Sequence, residues 1–323
     1  MITTLVFRET RFAALNPPVD TLATLRTEPG ALLWVDLSQP TDEEIKQVLE
    51  TTFAFHPLAI EDCVADSPFP KLEEYEDYLY LVMHAVVSTE HQHFTTTEVD
   101  IFLGRNFLVT FHRQPLRPIQ AVLERYARPG GVQVRGPDRF AHSLLDLLIE
   151  AYQPAMDSLH RELEAIEEGV LKDMAAKDLF PRVVALRKQF SALRQIVRPQ
   201  REIANSLAEG KTKLIRSVMV PYLRDLAEDL VRIETQASAW AEQLILSFRV
   251  YLNKSSHEAN EGIRVLTGIT ALTIPVLLIS GWFGMNFETM YELAGRYSYL
   301  AAAALTLTGT VGMLAFMRRK HWL

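Results

Sequence analysis

The stretch VLTGITALTIPVLLISGWFGMNFETM, residues Val265–Met290, decides the fold. Its first 19 residues, Val265–Phe283, carry no charge, and 21 further uncharged residues follow at Tyr297–Met317. A helix needs about 20 apolar residues to cross a hydrocarbon core of about 30 Å. We therefore predict two transmembrane helices here, in preference to a pair of buried core helices.

The connection between the two predicted spans sets the topology. It is short, Gly284–Arg296, so we expect a hairpin whose two ends lie on the same side of the membrane. Arg318, Arg319 and Lys320 follow the second span and mark that side as cytoplasmic by the positive-inside rule. We predict a multi-pass protein of the inner (plasma) membrane with both termini in the cytoplasm. The predicted parts are a cytoplasmic α/β domain with a helical hairpin (1–220), a stalk helix (221–264), a pore-lining span (265–283), an external loop (284–296), a second span (297–317) and a basic tail (318–323).

Charge is distributed unevenly along the chain. From Gly262 onward, five basic and two acidic side chains give +3, and because the whole chain carries −7, residues 1–261 carry −10. An acidic part does not suit nucleic acid, whose phosphates need Lys and Arg, but it suits cations. The single cysteine, Cys63, leaves no internal disulfide and no cysteine-rich zinc site. The sequence shows no glycine-rich phosphate loop, Ser/His/Asp order or metal-ligating histidine pair, so we expect neither an enzyme nor an organic cofactor.

The region before the spans predicts an α+β domain, a sheet flanked by helices. ALLWVDLS (31–38) reads as a strand, and Thr41–Glu44 forms a capping box that begins a helix. YLYLVMHAVV (78–87), TEVDIFLG (97–104) and NFLVTFHR (106–113) read as further strands, and LRPIQAVLERYA as a helix. A helical hairpin then runs out from Phe140 to Leu171 and returns, with Gly169 and Pro181 predicted to flank its turn.

A long segment without proline or glycine, Tyr222–Glu261, leads into the first span. Its 40 residues extend about 60 Å if fully helical, at about 1.5 Å per residue. Apolar residues recur along it every three or four positions: Leu223, Leu226, Leu230, Ile233, Ala237, Trp240, Leu244, Phe248 and Tyr251. We expect this seam to pair with other copies, the alternative being a helix packed on its own domain. Two spans cannot enclose an aqueous path, so ion passage requires a cyclic homo-oligomer.

Gly284-Met285-Asn286 ends the first span, and FETM, a second span and the basic end RRKHWL follow. In this position the motif resembles the CorA family of magnesium channels. The resemblance covers nearly the whole chain, including HPLAIEDC, PKLEEYEDYLYLV and VPYLRD. It implies a homopentamer, an oligomeric funnel with long stalk helices in the lipid bilayer and a pore lined by the first span.

By this resemblance, Asn286 forms the outer ring that receives a hydrated cation. Mg²⁺ holds its water tightly and prefers oxygen ligands, so a neutral amide oxygen can accept hydrogen bonds from the hydration shell. Gly284 allows the turn. Met285 belongs to the same motif. Helical spacing predicts the rest of the pore face: Asn260, Ile263, Thr267, Thr270, Ile274, Leu277, Gly281 and Gly284. The family has an inner asparagine ring followed by apolar constrictions, which Asn260 and then Ile263, Leu266 and Ile274 match. The sequence departs from the family at two points. Isoleucine occupies a constriction where some relatives have methionine, and Tyr291 stands where proline is common.

The family senses cytoplasmic Mg²⁺ through acidic residues between neighbouring subunits, and here Asp62 in IEDC and Asp225 in YLRD match that pattern. Glu61 and Asp146 are auxiliary candidates. Without the resemblance, all four read as solvated or ion-paired acids. The resemblance thus implies that Mg²⁺ is both the substrate and a regulatory ligand.

Two other functions stay open at this point. A related transporter of Zn²⁺, Co²⁺ or Ni²⁺, with or without proton coupling, is the closer alternative. Oxygen-only candidate ligands favour a hard ion over Zn²⁺, which usually recruits His or Cys. A membrane-anchored sensor is the other alternative, but an anchor needs neither Asn286 nor the polar positions Thr267 and Thr270 on the first span.

Overall fold

A computed structural model of the chain describes residues 1–65, 67, 69–88, 94–128, 133–172, 176–285 and 297–320. Within these residues the chain divides into two compact units, Met1–Ile245 and Leu246–Leu323. The first unit contains a mixed sheet with helices on both faces, which confirms the predicted α+β class. The second contains two packed apolar helices.

The sheet has seven strands in the order β2-β1-β3-β7-β6-β5-β4. Only β3 and β7 are parallel, and every other neighbouring pair is antiparallel. The predicted strands are confirmed as β3, β5, β6 and β7, whereas β1, β2 and β4 were not predicted. The strand bounds are β1 (Ile2–Arg8), β2 (Arg11–Leu15), β3 (Ala31–Ser38), β4 (Lys71–Glu74), β5 (Tyr78–Ser88), β6 (Phe94–Gly104) and β7 (Phe107–His112).

Nine α-helices lie in the described residues, and a π-helical turn, Lys46–Thr52, follows the second of them. The predicted capping box is confirmed, since the Glu44 N–H donates to Thr41 Oγ1 (3.3 Å) and the Thr41 N–H to Glu44 Oε2 (3.0 Å). The helix bounds are α1 (Leu22–Thr27), α2 (Asp42–Ile45), α3 (Pro57–Ala65), α4 (Arg117–Ala127), α5 (Pro137–Glu150), α6 (Tyr152–Leu171), α7 (Ala176–Ala208), α8 (Val220–Phe283) and α9 (Ser298–Arg319).

The helical hairpin differs from its prediction in one place. The outgoing arm divides at Ala151 into α5 and α6, because Pro154 has no N–H to donate to the carbonyl of Glu150. Gly169 lies near the end of α6 and Pro181 near the start of α7, so the two residues flank the connection between these helices as predicted.

Both faces of the sheet are buried. On one face, α3 and the preceding π-helical turn cover an apolar cluster that includes Val35, Val109 and Cys63. On the other, Phe140 of α5 packs against Phe7 and Trp34 with ring centroids 5.1 and 5.6 Å apart. The sheet is therefore a rigid platform, and α3 is fixed to it by packing.

Buried hydrogen bonds hold α6 and α7 to β5. The Tyr152 hydroxyl donates to the carbonyl of His84 (2.8 Å), and the His84 N–H donates to Gln200 Oε1 (3.3 Å). Gln200 Nε2 in turn donates to the Tyr152 oxygen (2.7 Å). These side chains satisfy the backbone N–H and C=O of His84, which lies on β5 beyond the last residue that β4 pairs.

The apolar seam on α8 is largely internal to the chain. Leu223, Leu226, Leu230, Ile233, Ala237 and Leu244 are each buried, and Trp240 stacks on His160 of α6 at 4.5 Å between ring centroids. The expectation that this seam pairs with other copies was therefore wrong over Leu223–Leu244. The alternative, a helix packed on its own domain, is confirmed there.

Candidate ion pathway and regulatory acids

α8 and α9 are both long and apolar enough to cross a membrane, and most of the residues in these spans lie outside any core. The two helices approach each other closely at one small residue: a side chain built on Gly309 of α9 would place its Cβ 3.2 Å from Cβ of Pro275 on α8. α8 continues as one helix through Pro275. The face it turns to α9 is the less exposed one and comprises Gly268, Ala271, Leu272, Pro275, Ile279 and Phe283.

The predicted pore residues lie outside that packed face. Ile263, Leu266 and Leu277 are 61%, 65% and 68% exposed, and Ile274 is 42% exposed. The other predicted members that the structure describes are exposed as well: Asn260, Thr267, Thr270, Gly281, Gly284 and Met285. A single chain thus leaves the predicted pore positions of α8 uncovered as a stripe opposite the less exposed face, and the flanks of the helix, such as Val265 and Leu278, are exposed as well.

The stripe includes the hydroxyl group of Thr270, whose proton is already hydrogen-bonded within α8. Thr270 Oγ1 donates to the carbonyl of Leu266 (2.9 Å), so this polar side chain leaves no unpaired proton in an apolar segment. Its oxygen keeps lone pairs that can accept from water. The position is therefore compatible with a hydrated surface as well as with a helix in lipid.

The Gly-Met-Asn motif lies at the end of α8, and the structure describes only its first two residues. Asn286 and the predicted loop up to residue 296, with Tyr291, lie outside the described residues. The Gly284 N–H donates to the Ser280 carbonyl (2.9 Å). A Cβ at Gly284 would lie 2.9 Å from that same oxygen. Glycine is needed here because the backbone carbonyl of Ser280 occupies the space that a side chain would enter.

Asp62 and Glu61 lie on α3, outside the apolar cluster. Glu61 is exposed, whereas Asp62 is half-buried and forms an ion pair with Lys71 at the start of β4. The Lys71 ammonium also contacts Glu73 Oε1 at 3.0 Å. The sequence reading missed Lys71 and Glu73, although both lie in the quoted segment PKLEEYEDYLYLV; an edge strand following α3 was the signal that could have indicated them.

Asp146 and Asp225 are brought close to one buried imidazole. His142 lies on α5 one turn before Asp146, and its ring meets the ring of Tyr222 on α8 at 5.5 Å. Burial lowers the pKa of His142, and the nearby charges of Asp146 and, more weakly, Asp225 act in the opposite direction. The two exposed acids thus share a surface where the start of α8 lies against α5.

An ion pair fixes the segment before α8 to α5. The Arg216 guanidinium contacts the buried carboxylate of Asp138 at 2.5 Å. A Cβ at Gly136 would lie 2.8 Å from Cζ of Arg216, so a larger residue there would displace this guanidinium group. The position of Asp225 relative to Asp146 therefore follows from packing that is internal to one chain.

The predicted regulatory acids form two separate pairs. Glu61 and Asp62 lie on α3, and Asp146 and Asp225 lie beside His142. In the described ranges, no three His, Cys, Asp or Glu side chains are grouped so that they could hold a metal ion. A site using both Asp62 and Asp225 therefore remains a prediction that requires ligands from more than one chain.

Buried acids elsewhere in the sheet are structural. Tyr80 donates to Asp100 Oδ1 at 2.6 Å, and burial raises the pKa of Asp100, with Glu98 adding to the shift. Burial also raises the pKa of the Cys63 thiol, which keeps it unreactive. Asp36 accepts from Thr110 Oγ1 at 2.5 Å. None of these groups reaches the surface.

Comparison with known proteins identifies the class. The family model described as "CorA-like Mg2+ transporter protein" matches residues 29–319. The chain therefore belongs to this family of membrane transporters of divalent cations, as the sequence resemblance predicted.

Individual relatives agree with that assignment. The chain is 31% identical over 293 residues to the "Putative metal ion transporter YfjQ" of Bacillus subtilis, covering 90% of each chain. It is 28% identical over 293 residues to the "Cobalt/magnesium transport protein CorA" of Thermotoga maritima, covering 90% of this chain and 83% of the relative. The solved structure of the CorA magnesium transporter from Methanocaldococcus jannaschii superposes with a TM-score of 0.81 at 18% identity, over 99% of this chain and 98% of that one. The whole fold, including the two apolar helices, is thus that of CorA.

Proposed function

We propose that the chain forms a homopentameric channel in the inner (plasma) membrane that takes up hydrated Mg²⁺ and is closed by cytoplasmic Mg²⁺ bound between subunits. The observation that carries the proposal is the uncovered stripe on α8. α9 packs on one face of α8 only, while the stripe from Ile263 to Gly281 stays exposed. Two helices cannot surround a water-filled path, so copies of α8 arranged around an axis are needed to line one.

The composition of the stripe suits a hydrated ion. Ile263, Ile274 and Leu277 provide apolar constrictions, which can gate by excluding water. Thr270 provides a hydroxyl oxygen between them, and Asn286 at the outer end provides an amide oxygen. A neutral amide accepts hydrogen bonds from the waters that Mg²⁺ retains without binding the ion as tightly as a carboxylate ring would. Asn260 forms a second amide ring at the inner end.

The proposed sensor uses carboxylates from two subunits. Asp62 on α3 of one copy and Asp225 on α8 of its neighbour hold the ion, with Glu61 and Asp146 as auxiliary ligands. Three of these side chains are exposed and Asp62 is half-buried, which supports their availability to a neighbouring copy. The ion joins two acids that otherwise repel, so its binding favours the closed ring in proportion to its differential affinity for that state.

Mg²⁺ is proposed as the main ion, and Zn²⁺, Co²⁺ or Ni²⁺, with or without proton coupling, is the second candidate. All of the proposed ligands are oxygen atoms, which Mg²⁺ prefers. The buried His142 lies beside two of them, and imidazole is a ligand for the softer ions. The protein is proposed to carry no organic cofactor and to have both termini in the cytoplasm.

The experiment that tests this function is uptake into liposomes that contain the purified protein, measured separately for Mg²⁺, Co²⁺ and Zn²⁺. Mg²⁺ entry that requires the protein and falls when Mg²⁺ is present on the cytoplasmic side supports the proposal. Entry of Zn²⁺ without Mg²⁺ entry supports the second candidate. Absence of flux for all three ions contradicts a channel.

A further inference from the structure

Among the residues that the structure describes, Asp62 is the one proposed sensor acid that forms an ion pair with a basic side chain. Lys71, the first residue of β4, contacts the Asp62 carboxylate through its ammonium group. The two side chains are 28% and 42% exposed. A divalent ion that approaches Asp62 from the surface therefore meets an ammonium group already bound to the same carboxylate.

Lys71 is held in place by groups other than Asp62. Its ammonium donates to Glu73 Oε1 at 3.0 Å and lies 5.3 Å from the centre of the Tyr80 ring. The Tyr75 hydroxyl donates to Glu73 Oε2 at 2.9 Å, which orients the Glu73 carboxylate. The side chain therefore keeps the Glu73 carboxylate and the Tyr80 ring as partners when Asp62 is withdrawn.

We propose that Lys71 is a built-in counter-ion that competes with the regulatory divalent cation for Asp62 and sets the cytoplasmic concentration at which the sensor fills. This inference rests on the proposed function, because it takes Asp62 to be a metal ligand. It adds a residue that is not a ligand but controls the affinity of the ligand site.

The competition follows from charge and geometry. A metal ion that binds Asp62 must displace the Lys71 ammonium from a carboxylate oxygen. The ammonium also repels the metal ion for as long as the two cations stay close. Because Glu73 and Tyr80 still hold Lys71, the exchange is reversible and does not unfold β4. A monovalent cation gains little by replacing an ammonium of equal charge, whereas a divalent ion gains more from each carboxylate. Lys71 thus makes the sensor respond to divalent ions at a raised threshold.

The size of the effect follows from the exposure of the pair. Surface ion pairs contribute little to stability because water screens them, and the pair at Asp62 is only partly covered. Adding the repulsion of a divalent ion by the same ammonium, we expect removal of the charge to lower the half-saturating Mg²⁺ concentration roughly three- to tenfold.

The test titrates Mg²⁺ against protease protection of the full-length protein in detergent. Lys71→Met keeps an unbranched stem beside Tyr80 and removes the charge, and Lys71→Gln serves as a second charge-removing variant should the methionine protein aggregate. Lys71→Arg keeps the charge. Lys172→Met is the matched control, because it removes another lysine that pairs with a carboxylate, Glu168 at 2.5 Å. Asp62→Asn reports whether Asp62 is a ligand at all.

The expected result is a midpoint three- to tenfold lower for Lys71→Met or Lys71→Gln, and a midpoint within about twofold of wild type for Lys71→Arg and Lys172→Met. A wild-type midpoint in both charge-removing variants, with protection lost in Asp62→Asn, overturns the role of Lys71 and leaves the Asp62 site standing. Wild-type protection in Asp62→Asn overturns the sensor and the role of Lys71 together.

Discussion

Replacement of Gly284 by alanine tests the motif at the one point where the structure describes tight backbone packing. A Cβ at this position would lie 2.9 Å from the Ser280 carbonyl oxygen, which also accepts the Gly284 N–H at 2.9 Å. The obstructing atom belongs to the backbone, so no side-chain rotation can relieve the contact. The last turn of α8 must open, and the residues that follow, Met285 and Asn286, must move with it.

The expected loss of stability is small compared with the expected loss of flux. Forcing a methyl group into a filled space costs about 1–3 kcal/mol, and replacing glycine by alanine in a helix returns up to about 1 kcal/mol. A net change of at most about 3 kcal/mol is below the stability of a typical folded protein and leaves the protein folded. A displacement of the Asn286 amide, however, weakens a ring that acts through hydrogen bonds, whose strength falls steeply with geometry. We expect Mg²⁺ uptake to fall about tenfold, the equivalent of about 1.4 kcal/mol.

The assay compares liposome uptake and thermal unfolding for Gly284→Ala and Gly312→Ala. Gly312 on α9 is the matched control, because a Cβ there meets nothing within 4 Å. The control should keep its flux and gain slightly in stability. Wild-type uptake by a correctly inserted Gly284→Ala protein would refute the reasoning that the close approach positions the motif.

Three further predictions follow from the site and the core. Asn286→Ala should reduce Mg²⁺ uptake at least about tenfold while the protein elutes as the wild-type oligomer; unchanged uptake would contradict the outer ring. Asp62→Asn combined with Asp225→Asn should raise uptake several-fold at high internal Mg²⁺ and weaken Mg²⁺-dependent protease protection, and a wild-type dependence on internal Mg²⁺ would locate the sensor elsewhere. Burial raises the pKa of Asp100, so the folded protein keeps a proton that the unfolded chain releases near pH 4. The free energy of unfolding should therefore fall as the pH rises from about 4 towards the raised pKa. Asp100→Asn should make this pH dependence weaker in urea unfolding of the full chain.

Local signals in the sequence were sufficient for the elements that carry a strong pattern. The two uncharged spans, the strand Ala31–Ser38 and the capping box at Thr41 each depend on neighbours in the chain, and all three occur as predicted. The family motif likewise depends on position relative to the first span. These features required no knowledge of tertiary contacts.

The remaining features depend on contacts between distant residues. The seam on α8 has the spacing of an oligomer interface, yet it is buried against helices of the same chain such as α6, which carries His160. The break at Ala151 reflects one missing backbone donor at Pro154 inside an otherwise helical pattern. Periodicity shows which residues are covered but does not specify what covers them.

The candidate site also combines features that local patterns predict with features that depend on contacts between distant residues. Helical spacing predicted the stripe on α8, and its exposed members lie off the face that packs on α9. Asp62 was predicted from its motif, but its partner Lys71 lies on an edge strand that has a weak pattern of only four residues. The pairing of Asp146 and Asp225 around His142 depends on how α5 meets α8, which no local pattern encodes.

The central claim is that the uncovered stripe of α8 lines an aqueous path, and two neighbouring cysteine substitutions test it directly. Thr270 belongs to the stripe, whereas Ile269 is also exposed, at 59%, but points away from it on the same helix. The natural Cys63 is buried and gives no background reaction. A water-soluble, positively charged thiol reagent should react with Thr270→Cys and block Mg²⁺ uptake into liposomes, while Ile269→Cys stays unreactive and active. Equal reaction at both positions, or block through Ile269→Cys alone, would contradict the proposed pathway.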